Sequence, residues 1–225
     1  MAANIVQLRQ LLREKFPGLR TRADELPVKK RDGWATGITQ LDQRLGGGFP
    51  KSAINEVIAP HRGSGSALLM LQVLRAATER NEFVAILDGR DSLDAASIEQ
   101  RTLNHLLWIR CHTADEAIKA TDLVLRDGNV QVVILDLAFN PGAQLQKIPS
   151  PTWYRFQRIV EESAATLLVF TPRAMISSAE VRVTLRSRFG LSAIEADQVK
   201  LTMELDFEVT EISEAAAEAP LRRSA

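Results

Sequence analysis

The chain has 225 residues, 45% of them hydrophobic and 25% charged, with 28 basic residues balanced by 28 acidic ones. That length and apolar share can fill one large core, and zero net charge gives no global basicity pointing to nucleic acid. A single cysteine, Cys111, excludes an intramolecular disulfide and suits a reducing compartment. The amino terminus has no long apolar stretch, and no apolar run approaches the roughly 20 residues of a membrane-spanning helix. A cytoplasmic protein without membrane attachment is expected.

Ile5, Leu8, Leu11 and Leu12 fall at helical spacing and stop before Pro17-Gly18, which predicts a short amphipathic helix. Residues 17–33 are polar and basic and read as a linker, so residues 1–33 form an arm. A helix over Ile38–Leu45 then runs into Gly46-Gly47-Gly48, a turn. From there strands alternate with helices. Strands are expected at Ala53–Ile58, Phe83–Asp88, Leu106–Arg110, Val130–Leu137 and Thr166–Thr171. Helices are expected at Ala67–Thr78, Ala95–Thr102, Ala114–Arg126 and Thr152–Ser163. Strands such as VQVVILDL are nearly continuous apolar runs, the pattern of a sheet covered on both faces. The expected class is α/β, with a mostly parallel central sheet flanked by helices. After Pro172 the segments VRVTLRSRF and VKLTMELDFEV alternate with period 2, which reads as an antiparallel extension with one wet face. The core is placed at residues 34–212, and residues 213–225 read as a disordered tail.

Charge is unevenly distributed. Residues 1–31 carry eight Lys or Arg against three carboxylates, whereas residues 191–218 carry eight carboxylates against Lys200 alone. Such ends fold together, meet separate partners or stay solvated.

Residues 54–73, INEVIAPHRGSGSALLMLQV, read as strand, glycine loop and helix start. A phosphate-binding loop follows the plan G-x-x-x-x-G-K-[S/T], with backbone N–H groups and the helix N-terminus holding phosphate. With Pro60 opening the loop, Gly65 closes it, Ser66 takes the lysine position and Ala67 takes the position of the Mg²⁺-ligating hydroxyl. The loop Arg62-Gly63-Ser64-Gly65 still offers backbone donors for an anion, or it is a turn whose glycines serve geometry alone. Asp136, closing VVILD, sits where a metal-holding acid belongs, and Asp88 and Asp94 flank Arg90 at the end of another strand. His61, His105, His112 and Cys111 show no ligand spacing, so no metal site is expected. Trp153, Phe156 and Val160 share a helical face suited to the core, leaving Arg155 and Arg158 in water; an alternative is stacking on single-stranded nucleic acid.

Thr36-Gly37-Ile38, Leu41-Asp42, Leu45 to Pro50, Leu71-Gln72-Val73, the acidic turn Asp88–Asp94 and the strand ending at Asp136 resemble the RecA ATPase core, collinear over about residues 36–188. The departures fall on the catalytic positions. Ser66 and Ala67 replace the lysine and threonine, Arg90 replaces the catalytic glutamate, and Thr171 lies near the γ-phosphate-sensing glutamine. Asp136 alone survives. LLWIRC (106–111), residues 147–173 and DGRDSLDAAS are similar to the ImuA family, RecA-like accessory proteins of bacterial translesion synthesis. The resemblance implies an SOS-induced, non-catalytic adaptor without a nucleotide cofactor. It also implies contacts with ImuB and RecA, and with an error-prone DnaE polymerase indirectly. Leu8, Leu11, Leu12 and Phe16 are the candidate partner contacts, for RecA or for a second copy. For direct DNA contact the candidates are the basic arm and Arg173, Arg182, Arg186 and Arg188. Two alternatives stand beside this: a SulA-like inhibitor of the division tubulin, and a divergent ATPase using Lys51 or Lys147.

Overall fold

A computed structural model describes residues 32–163, 165–190, 193 and 196–211. Strand β1 (Gly33–Trp34) pairs antiparallel with β2 (Phe49–Pro50) around helix α1 (Thr39–Arg44). Strand β3 (Ala53–Ile58) leads into α2 (Ser66–Glu79), followed by β4 (Val84–Asp88), α3 (Gln100–Leu103) and β5 (Leu106–Arg110). Then come α4 (Ala114–Asp127), β6 (Val132–Asp136), α5 (Gly142–Leu145), α6 (Pro151–Ser163) and β7 (Thr166–Thr171). Strand β8 (Val181–Leu185), α7 (Gln198–Met203) and β9 (Phe207–Glu211) close the described chain.

Seven strands form one sheet in the order β5-β4-β6-β7-β3-β8-β9, parallel except for β9. The mostly parallel sheet flanked by helices is the architecture expected. Its C-terminal edge differs in two respects. Strand β8 pairs parallel with β3, with Glu56 opposite Arg182, and only β9 runs antiparallel. The first half of VKLTMELDFEV is helix α7, not strand. Val199, Leu201 and Met203 mimic strand alternation, but the Asp197 carboxylate accepts the Val199 N–H at 2.7 Å and caps a helix there.

Side-chain period decides which face each strand residue joins. Val84, Ile86, Val132, Ile134, Leu168 and Phe170 face one layer, where α2 contributes Leu69, Met70, Val73, Leu74 and Ala77. Ala85, Leu87, Val133, Leu135, Leu167 and Val169 face the other, against Ile118 and Leu125 of α4 and Trp153, Phe156 and Val160 of α6. Each fully buried Leu, Ile or Phe adds roughly 1.5–3 kcal/mol by leaving water. Helix α4 starts where it does because Thr113 accepts the Glu116 N–H while the Glu116 carboxylate accepts the His112 N–H, a reciprocal cap. Gly128, at φ 71°, ends it. No helix among the described residues is long and apolar enough to cross a membrane.

Candidate functional site

Parallel pairing brings the C-terminal ends of β3, β4, β6 and β7 to one edge of the sheet, where open α/β sheets place their ligands. The loop after β3 lies there. Gly63 has φ 78° and Gly65 φ 101°, and Gly65 precedes the first turn of α2 without a side-chain cap. The first N–H groups of α2 therefore lack an intrahelical partner.

A segment from far along the chain packs on this loop. The Phe189 N–H donates to the Gly63 carbonyl at 2.9 Å. A Cβ on Gly63 would stand 2.3 Å from the Phe189 carbonyl oxygen, and one on Gly65 2.2 Å from Leu205 Cδ1. Both glycines thus serve close approach as well as positive φ. Ser66 is buried as the first residue of α2, Ala67 is exposed, and the Arg62 guanidinium lies 4.7 Å from the centre of the Phe139 ring. Among the described residues lining the cleft at this loop there is no lysine.

Asp88 and Asp136 close adjacent strands in register. Asp136 is nearly buried. Burial pushes its carboxyl up to about 7; the Ala138 N–H, donating at 3.0 Å, opposes that shift, and the nearby Asp88 charge adds to it. Asp88 is fully buried but well supplied with donors: the N–H groups of Arg90, Ser92 and Leu93 at 3.2, 2.8 and 2.8 Å, and the Ser92 hydroxyl at 3.4 Å. It therefore organises the acidic turn, and Arg90 is exposed. Asp91 faces away from this chemistry, gripping Arg110 through two bonds of 2.6 and 2.7 Å. Asp94 accepts the Ala96 N–H and caps a short 3₁₀ turn.

Thr171 is not directed at the loop. Its hydroxyl donates to Glu56, a fully buried carboxylate on β3. Glu56 also accepts from the Met175 and Ile176 N–H groups at 2.8 and 3.3 Å and from Arg182 Nε at 2.7 Å. Arg182 is thereby committed to an internal ion pair, whereas Arg186 meets Glu208 with both side chains more than half exposed. Arg173 and Arg188 remain exposed. Trp153, Phe156 and Val160 are buried, while Arg155 pairs with Asp122 at 2.9 Å. Lys51 precedes β3, bonded to Asp32 at 2.9 Å, so six strand residues, about 20 Å, separate it from the loop. Lys147 is exposed beyond α5. Leu8, Leu11, Leu12 and Phe16 lie outside the described residues, as does the 213–225 tail. No group of three or more His, Cys, Asp or Glu that could hold a metal occurs among the described residues.

Sequence reasoning passed over Glu56, Phe139 and Phe189. For Glu56 a signal existed: a lone carboxylate in an otherwise apolar strand requires a buried partner. For the two aromatics nothing local marks proximity to the loop.

A parallel sheet with a glycine loop between β3 and α2 defines the class, a P-loop-type α/β protein. The RecA N-terminal domain family matches residues 21–147, more than half of the chain, and the chain belongs to that family. It is similar to Protein RecA of Thermus thermophilus, 30% identical over 144 residues, covering 62% of this chain and 42% of the relative. Protein RecA of Methylococcus capsulatus is 33% identical over 128 residues, covering 55% of this chain and 37% of the relative. The corresponding protein of Bdellovibrio bacteriovorus is 32% identical over 133 residues, covering 57% and 35%. The matched stretch thus spans less than half the length of these relatives.

Proposed function

We propose that this RecA-related chain is a non-catalytic accessory protein of SOS-induced translesion DNA synthesis, of the ImuA type. In this role it links ImuB and RecA, and through ImuB an error-prone DnaE polymerase, inside the cytoplasm. The observation that carries the reading is the start of α2, where Ser66 and Ala67 stand at the positions of a phosphate-binding lysine and a metal-ligating hydroxyl. Phosphoryl transfer depends on charge placed around the transferring group, and removing one such contact typically slows it by about 10²–10³. With the lysine, hydroxyl and glutamate positions held by Ser66, Ala67 and Arg90, little of that charge remains. The resemblance of residues 106–111 and 147–173 to ImuA supplies the pathway.

Two measurements on the full chain test the proposal. Isothermal titration with ATP–Mg²⁺, followed by phosphate release with single-stranded DNA present, is expected to show neither binding nor turnover. Pull-downs with purified ImuB and RecA are expected to retain both, with or without ATP. Retention of the division tubulin in place of ImuB would redirect the assignment, and measurable turnover would overturn it.

A further inference from the structure

Helix α6 has two faces, and the core uses one of them. Trp153, Phe156 and Val160 are buried against the sheet. On the outward face Tyr154, Arg155, Arg158, Ile159 and Glu162 recur at helical spacing and, with Arg126 from the last turn of α4, line a cleft of about 450 Å³. Tyrosine and arginine are enriched, and lysine and glutamate depleted, where proteins meet. This wall holds three arginines, a tyrosine that is 55% exposed, one glutamate and no lysine. Leu123, 70% exposed, stands one turn before Arg126 on the same side of α4 and extends the apolar part of the surface.

The arginines are oriented rather than cancelled. Asp122 on α4 meets Arg126 Nε at 2.9 Å with one carboxylate oxygen and Arg155 Nε at 2.9 Å with the other. One carboxylate thus fixes two guanidiniums through their Nε atoms and leaves their terminal N–H groups to a partner. Arg158 is exposed and forms no ion pair among the described residues. Three guanidiniums against the carboxylates of Asp122 and Glu162 leave a surplus of one positive charge, beside Ile159 and the Tyr154 ring. That balance disfavours nucleic acid, which binds by having several phosphates neutralised and by stacking successive bases on exposed rings; Tyr154 is the one exposed ring of α6. It suits a chain with a few carboxylates around an apolar side chain. We propose that the α4–α6 face docks an acidic peptide segment of a partner protein. Its carboxylates accept from the terminal N–H groups of Arg126, Arg155 and Arg158, and an apolar side chain enters the cleft between Tyr154 and Ile159. The proposal is independent of whether the loop after β3 holds a nucleotide, because α2 packs on the other face of the sheet.

Fluorescence anisotropy on the full chain is the test. The probes are a short labelled peptide with two glutamates on each side of a Trp-Leu pair, its glutamine counterpart, and oligothymidylate. The acidic peptide is expected to saturate and to weaken as salt rises. Its glutamine counterpart should bind about tenfold more weakly or worse, as loss of charge-assisted hydrogen bonds predicts. Arg158→Gln should weaken the acidic peptide by about tenfold, and Tyr154→Ala by a similar factor. Arg101→Gln makes the same change of net charge at an exposed position on α3 and should leave binding unaltered. If either site variant melts at a lower temperature, the glutamine counterpart carries the test. Failure of the acidic peptide to saturate, equal affinity for its glutamine counterpart, or a loss in folded R158Q no greater than in R101Q would each overturn the proposal. Oligothymidylate that binds more tightly, displaces the peptide and depends on Arg158 would assign the surface to nucleic acid and overturn it as well.

Discussion

Asparagine at position 136 separates the charge of that side chain from its shape. In the folded chain burial raises the Asp136 carboxyl from its ordinary 3.8 to about 7. A carboxyl raised in this way prefers its proton in the native state. Its cost to stability therefore sets in as pH climbs above 3.8 and is complete once pH passes about 7. Integrating the difference in bound protons from pH 5 to pH 8 gives a loss of about 2–3 kcal/mol. Asp136→Asn removes the titration but keeps an oxygen for the Ala138 N–H. Urea unfolding at several pH values is the assay. Relative to the parent, the variant should gain about 2–3 kcal/mol between pH 5 and pH 8. A constant separation of the two stability curves over that range would refute the reasoning, because it would mean that Asp136 carries the same charge in both folded and unfolded chains throughout.

Other substitutions probe the remaining features. Glu56→Ala strands the Arg182 guanidinium and removes the acceptor for Thr171, Met175 and Ile176. It should cost about 3–5 kcal/mol in denaturant melts, as for a broken buried ion pair. Gly63→Ala meets both a positive φ and the Phe189 carbonyl oxygen, so a loss of about 1–3 kcal/mol is expected from backbone strain alone. Ser66→Lys combined with Ala67→Thr restores the phosphate-loop side chains. Measurable ATP–Mg²⁺ binding is expected from it by calorimetry, without phosphate release, since Arg90 still holds the base position. Charge reversal at Arg173 and Arg188 should weaken any salt-dependent retention of single-stranded DNA in a gel shift, and reversal of Arg182 should instead lower stability, because Arg182 is held by the buried Glu56.

The repeating skeleton was readable because local sequence determines it. The expected bounds of β3, β5 and β7 coincide with those observed, since each is an apolar run punctuated by turn residues. The expected Val130–Leu137 strand shortens to Val132–Asp136, and the expected Ala95–Thr102 helix divides into a 3₁₀ turn and α3. Strand β8 differs from the expectation in direction rather than existence. Its burial alternates as expected, with Val181, Val183 and Leu185 inside, but period-2 patterning carries no information about whether a neighbour runs parallel. Direction follows from which strand β8 joins, here β3, where Glu56 and Arg182, 126 residues apart, stand opposite each other.

The same distinction governs the candidate site. Ser66, Ala67 and Arg90 stand out in the chain because the motif fixes where lysine, threonine and glutamate would fall. Phe139 and Phe189 do not, since they reach the loop only through the order β6-β7-β3-β8. A lysine at position 66 would face a cleft walled by Leu68, Phe139, Phe189 and Leu201, where an unpaired ammonium group is costly. Serine at position 66 and the apolar walls are therefore physically consistent with each other. Gly63 and Gly65 have a structural reason separate from phosphate, because Phe189 and Leu205 occupy the space their side chains would need.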